Sequence, residues 1–120
     1  FAIEVEMHLE SAQMEKPMQL SRSSFRDSYW TAEQLVAHHT SNGCNLRAGD
    51  LLGSGTLSGA TPDSCGSLME LTQGGKNPIS LPGGEKRAFL EDGDWVIEKG
   101  YCSKDGVRIG FGKAAGCVKQ

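Results

Sequence analysis

Three stretches of this chain carry residue types whose spacing could do chemistry. Glu4-Val5-Glu6 places two carboxylates on one side of an extended segment, about 7 Å apart, a separation able to grip a divalent cation. The competing reading is a solvated strand face, because no third oxygen ligand lies close in sequence. Gly53-Ser54-Gly55-Thr56-Leu57-Ser58-Gly59 interleaves glycines with hydroxyls. It is either a plain turn or a loop that aims hydroxyls and backbone N–H groups at a carboxylate or enolate oxygen. Glu70 stands between Met69 and Leu71 in what reads as a strand. Its carboxyl then faces away from both neighbours, toward solvent or toward the wall of a cleft.

Other suggestive residues have plainer explanations. His38 and His39, adjacent on a helix, point about 100° apart and cannot share a metal. His39 falls on the apolar stripe and reads as a packed core residue with a satisfied ring nitrogen. The glycines at 110, 112 and 116 are one residue off the dinucleotide fingerprint, and only four residues follow Gly116. With no helix start to hold a pyrophosphate, they read as a terminal strand with close backbone packing.

The elements that must position these groups follow from period and punctuation. Phe1, Ile3, Val5, Met7 and Leu9 alternate with Glu4, Glu6 and His8, the period of a strand with one dry face. Residues 11–17 read as a hairpin loop leading to a second strand at 18–22. Thr31 and Gln34 have capping-box spacing, and Ala32, Leu35, Val36 and His39 follow at helical spacing up to Asn42-Gly43. Short strands are expected at 51–56, 67–72, 79–81, 88–90, 95–102 and 107–111. Gly74-Gly75, Gly83-Gly84, Asp92-Gly93 and Asp105-Gly106 mark turns between them.

Composition narrows the function classes. At 120 residues and 12.9 kDa the chain suits one domain, and 38% hydrophobic with 22% charged residues is globular rather than disordered. Twelve basic against fifteen acidic side chains give a net charge of −3, with no basic stripe of the kind that displaces counterions from nucleic acid. No apolar run approaches the roughly 20 residues of a membrane helix. Phe1 opens directly into patterned sequence without an initiator methionine or signal peptide, so the expectation is an excised piece. Cys44, Cys65, Cys102 and Cys117 lack zinc-site spacing. They read as reduced thiols of a cytosolic protein, the alternative being two disulfides of a secreted one.

Several blocks carry a family resemblance. Tyr29-Trp30-Thr31, then residues 38–47 (HHTSNGCNLR), Gly49-Asp50-Leu51-Leu52, Ser54-Gly55-Thr56-Leu57-Ser58-Gly59 and Gly66-Ser67-Leu68-Met69-Glu70-Leu71 resemble the fumarylacetoacetate hydrolase family. The likeness continues through Phe89-Leu90, Asp92-Gly93-Asp94, Val96-Ile97, Gly100, Cys102, Asp105-Gly106 and residues 108–112. The Tyr-Trp-Thr, His-His and Asn-Gly-Cys-Asn blocks resemble its fumarylacetoacetase branch.

The resemblance implies a metal-dependent hydrolase that cleaves a carbon–carbon bond of a β-diketo acid to fumarate and acetoacetate, the last step of tyrosine and phenylalanine catabolism. It implies that Thr56, with the Gly55 backbone, contacts substrate and that Glu70 orients a general-base histidine. Calcium or magnesium would be held by carboxylates outside these residues. Glu4-Val5-Glu6 copies the family's metal motif but matches a later strand that binds none, so no metal ligand is expected here. Nor does the resemblance give His8, His38 or His39 a catalytic role. Residues 1–120 would be the C-terminal portion of the catalytic domain, one wall of the site and inactive alone. The expected fold is mainly β, a mixed β-roll or barrel-like sheet with one amphipathic helix at about 31–41. A cytoplasmic homodimer acting on a small molecule, without nucleic acid or membrane partners, is expected. The alternatives are a non-catalytic β-rich assembly or ligand-binding module, and a sister activity such as acylpyruvate hydrolysis or decarboxylation.

Overall fold

The opening alternation folds as a strand, β1 (Ile3–Glu10), in a computed structural model that describes residues 2–119. Phe1, expected to start this strand, lies outside the described residues. The polar segment 11–17 turns the chain back into β2 (Met18–Ser24), antiparallel to β1. The next partner of β1 is far along the chain: β5 (Trp95–Lys104) lies antiparallel on its other side and pairs with β6 (Val107–Cys117). The sheet order is β2-β1-β5-β6. Asp105 and Gly106, both at positive φ, form the tight β5–β6 turn that Asp-Gly favours. Mainly β, as expected, the fold has antiparallel pairing throughout this sheet.

Two bulges shape the sheet. One residue of β2, Leu20, is extra between the pairs Met7–Ser21 and His8–Gln19. On the far strand Phe111 and Gly112 together oppose Gly100, with Gly112 at φ 86°. That break lets β6 continue to Cys117, beyond the expected end at Phe111. The glycine-rich 110–116 run is therefore strand, as its composition suggested.

Between β2 and β5 lies a long excursion. It holds 3₁₀ turns at Phe25–Asp27 and Pro62–Ser64, helix α1 (Ala32–Thr40), helix α2 (Leu68–Leu71) and the short hairpin β3 (Ile79–Ser80) and β4 (Lys86–Arg87). The capping box at Thr31 forms: Thr31 Oγ1 accepts from Gln34 N–H at 3.2 Å, and Gln34 Oε1 accepts from Thr31 N–H at 2.9 Å. Three expectations need correction. Residues 51–56 form no strand, since the run is exposed, without a ladder partner, and Gly55 turns it at φ 81°. Residues 67–72 are helical because Ser67 Oγ caps Glu70 N–H at 3.2 Å, while Gln73 and Gly74 at positive φ stop the helix. The strand placed at 88–90 pairs instead at 86–87, where the Gly83-Gly84 turn sets the register with Ile79 and Ser80.

The buried apolar cluster is small, Leu9, Leu20 and Leu81 surrounded by Met7, Met14, Met18, Leu68, Leu71 and Ile79, and Tyr101 is buried apart from it. Beside it sits a buried ion pair. Arg87 Nε donates to Asp94 Oδ2 at 2.9 Å and Nη2 donates to Oδ1 at 3.1 Å, a bidentate fork. Nη2 also reaches Glu85 at 3.1 Å, and Ser11 at the end of β1 donates to that same glutamate. Burial pushes the Asp94 carboxyl up, but hydrogen bonds from Arg87 and the Glu91 N–H outweigh it and hold it below the usual carboxylate range. Arg87 is correspondingly held in its charged form, chiefly by the Asp94 hydrogen bonds.

Breaking one side of this pair leaves an uncompensated buried charge. Asp94→Asn is expected to cost about 3 kcal/mol of stability. In the native chain the contribution of Asp94 is complete above its unfolded value of about 3.9 and is lost as pH falls through the lower folded value. Urea midpoints measured from pH 7 to pH 2 check both points: the variant starts lower and shows the shallower decline on acidification.

Candidate functional site

The Gly53–Gly59 loop crosses one face of the sheet. Beneath it the inward face of β1 and β2 contributes Val5, Met7, Ser21 and Ser23, and β5 contributes Glu98. With Gly55, Thr56, Leu57 and Gly66 these side chains line a cavity of about 360 Å³. Thr56, the hydroxyl singled out in the sequence, is thus at the wall of a cavity, and its Oγ1 takes no partner among the described residues.

Glu70 is held from several sides. Its Oε2 accepts from Ser58 Oγ at 2.6 Å and from Gly66 N–H at 3.0 Å, while Ser58 Oγ also lies 3.1 Å from that N–H. Its own N–H is capped by Ser67. The second oxygen, Oε1, has no partner among the described residues. A carboxylate pinned by one oxygen and free at the other is positioned to accept one further N–H or O–H. It lies on a short helix rather than on the expected strand, and the residue is exposed.

Gly66 is the residue that relates the two. Its N–H points to Glu70, and a Cβ built on its α-carbon would fall 2.4 Å from Thr56 Cγ2 and 2.3 Å from Leu57 O. Only glycine allows this approach.

The histidines are elsewhere. His8, buried, lies 3.2 Å from Glu6. His39 is exposed, contrary to the expected core position. With His38 and Leu35 it lines an open cleft of about 610 Å³ between α1 and residues 52–57, so the apolar stripe of α1 faces that cleft rather than a packed core. His39 Nε2 is 3.4 Å from the exposed thiol of Cys44. None of the three histidines is hydrogen-bonded to Glu70.

The acidic pair of β1 is engaged in the sheet. Glu4 accepts from Ser24 Oγ at 2.9 Å and pairs with Arg22 at 3.3 Å, and Glu6 is occupied by His8. Among the described residues no three His, Cys, Asp or Glu side chains gather closely enough to hold a metal ion. These residues therefore do not fit a metal centre by themselves. All four cysteines are free thiols. Among the described residues no helix is long and apolar enough to cross a membrane.

Sequence reasoning names Ser58 only as one hydroxyl of the 53–59 loop and misses Ser21, Ser23 and Glu98. Ser58 had a signal, since Gly66 and Glu70 both need a polar partner at the far side of the same loop. The others sit on strand positions, and only the register could aim them into the cavity.

Residues 3–119 match the family described as fumarylacetoacetate (FAA) hydrolase C-terminal. The human protein named fumarylacetoacetase is 49% identical over 118 residues, 98% of this chain and 28% of its own length. Its Arabidopsis thaliana counterpart is 48% identical with the same coverage. The Caenorhabditis elegans one is 54% identical over 97 residues, 81% of this chain and 23% of its own. The chain thus spans little more than a quarter of the length of the first two of these relatives.

Gly66→Ala is expected to push the 56–58 backbone away and loosen Glu70, at about 1–3 kcal/mol for the forced overlap. Thermal melting reads the loss, and the amide shifts of Thr56, Ser58 and Glu70 show whether it is local. Unchanged shifts at all three would refute the shared role of this glycine.

Proposed function

We propose, given that the chain belongs to the fumarylacetoacetate hydrolase family, that it forms one wall of the active site of a fumarylacetoacetase. That enzyme hydrolyses a carbon–carbon bond of a β-diketo acid to fumarate and acetoacetate, closing tyrosine and phenylalanine catabolism. The observation that carries the reading is the pinned Glu70 carboxylate beside the unpartnered Thr56 hydroxyl, joined through Gly66. The names of the relatives support it and favour it over acylpyruvate chemistry.

The roles follow from the atoms present. Water adds to a carbonyl carbon, its proton passing to an imidazole. The bond to the neighbouring carbon then breaks, and its electron pair leaves as an enolate that takes a proton. Glu70 Oε1 accepts the far ring N–H of that imidazole, fixing its tautomer and stabilising the imidazolium. Thr56 Oγ1 donates to a substrate oxygen, and the Gly55 backbone lets it approach. The histidine, the metal ligands and a lysine come from outside these 120 residues. A bound calcium or magnesium would polarise the diketone oxygens there.

Four unpaired thiols support a reducing, cytoplasmic setting. Large apolar side chains stand in water, among them Leu51 at 97% and Tyr29 at 86% exposure. Covering such a surface supports a homodimer.

In the complete enzyme, Glu70→Gln is expected to lower kcat by about 10²-fold or more with little change in KM. Thr56→Val should raise KM by about tenfold. Loss of β-diketone absorbance reads both, and wild-type kcat in the Gln variant sinks the orienting role. The 120-residue chain alone, given calcium or magnesium, is expected to leave that absorbance unchanged. Sedimentation at rising concentration is expected to show a dimer or larger species, whereas a clean monomer counts against assembly.

A further inference from the structure

We propose that Ser21 and Ser23 form a carboxylate-binding pair in the cavity that also holds Thr56, and that they grip the acid end of a diketo acid. The identity of the ligand rests on the function proposed above; the existence of the site rests on the following geometry.

Both serines are more than nine-tenths buried, at 4% and 6% exposure. Neither Oγ has a hydrogen-bond partner among the described residues. Neither is sealed in, because no buried side-chain oxygen lacks a partner among the described residues. The two hydroxyls therefore open into the cavity they line. A ligand that accepts hydrogen bonds from both hydroxyls supplies the partners that the described residues do not.

The sequence goes out of its way to put them there. Met18 opposes Leu9 and Gln19 opposes His8, so simple alternation would turn Ser21 and Ser23 toward the charged face with His8 and Glu6. The extra residue Leu20 shifts the register by one, after which Ser21 opposes Met7 and Ser23 opposes Val5. A bulge that re-aims side chains is a recurrent device beside functional sites.

The spacing selects the ligand. Residues two apart on a strand lie about 6.5–7 Å apart. Two O–H···O⁻ bonds of about 2.6 Å, one to each oxygen of a single carboxylate, span that gap. Across the cavity, two strands from Ser21, Glu98 pairs with Met7. Its carboxylate accepts hydrogen bonds but repels an anion, so the acid end belongs at the serines and an enol O–H of the diketone at Glu98. Val5, Met7 and Leu57 flank the carbon chain between.

The test is titration of the isotope-labelled 120-residue chain with acetopyruvate and, separately, with its methyl ester, followed by backbone amide shifts. Saturable shifts confined to Ser21, Ser23, Thr56 and Gly66 are expected, with the ester at least about tenfold weaker. Ser21→Ala and Ser23→Ala should each raise Kd about tenfold, while Ser21→Thr, which keeps the hydroxyl, should restore binding if the alanine variant unfolds. Equal affinity for acid and ester, native affinity in both alanine variants, or shifts absent from the cavity would each overturn the proposal. Turnover by the complete enzyme is scored separately. Acid-selective binding at the serines without turnover leaves this inference standing and removes the activity reading. Turnover with a KM indifferent to both serines does the reverse.

Discussion

The Arg87 guanidinium reaches Asp94, Glu85, Glu91 and the Lys86 carbonyl at once, and through them it ties four parts of the fold to one another. Glu85 takes the hydroxyl of Ser11 and so holds the end of β1. The Asp94 carbonyl accepts from Val118 N–H at 2.9 Å and so holds the end of β6. With the apolar cluster limited to Leu9, Leu20 and Leu81 among the described residues, this polar clamp supplies cohesion that a larger cluster would otherwise supply. Its cost in desolvation is offset because no buried side-chain nitrogen or oxygen among the described residues lacks a hydrogen-bond partner.

The clamp also reaches the candidate site. Thr72, wholly buried at the end of α2, lies 3.0 Å from the carbonyl of Ala88, the residue after Arg87. Gly75 N–H donates to the same hydroxyl. The short helix that carries Glu70 is therefore moored at its C-terminal end to the β4 hairpin and capped at its start by Ser67. Four residues of helix have no stability of their own, so this anchoring is what fixes the carboxylate.

Much of this is legible in the residues alone. The period of β1, the Thr31–Gln34 box and the Asp105-Gly106 turn are local devices, and local devices can be read from residues alone. The misreadings arose where tertiary context decides. Ser67-Leu68-Met69-Glu70 has the capping-box spacing, but an apolar pattern short enough for either element drew it toward strand. Helical spacing puts His39 on the apolar face of α1 without saying whether anything covers that face. The Arg87 clamp was invisible because its partners are scattered charges, which usually mean solvated surface. The serines of β2 were hidden by a register shift that no single-strand pattern reveals.

The sheet order β2-β1-β5-β6 has a kinetic corollary. The pairing of β1 with β5 joins Leu9 to Val96 and Ile3 to Cys102, across almost the whole chain. Closing so long a loop costs entropy before any ladder bond is gained, and contact order of this kind slows folding by orders of magnitude relative to local hairpins. During synthesis the β1–β2 hairpin emerges before β5 and β6 and waits, one edge uncovered, until those two strands leave the ribosome. That interval is when a chaperone has most to do, and when a substitution harmless to the finished molecule can still lower its yield.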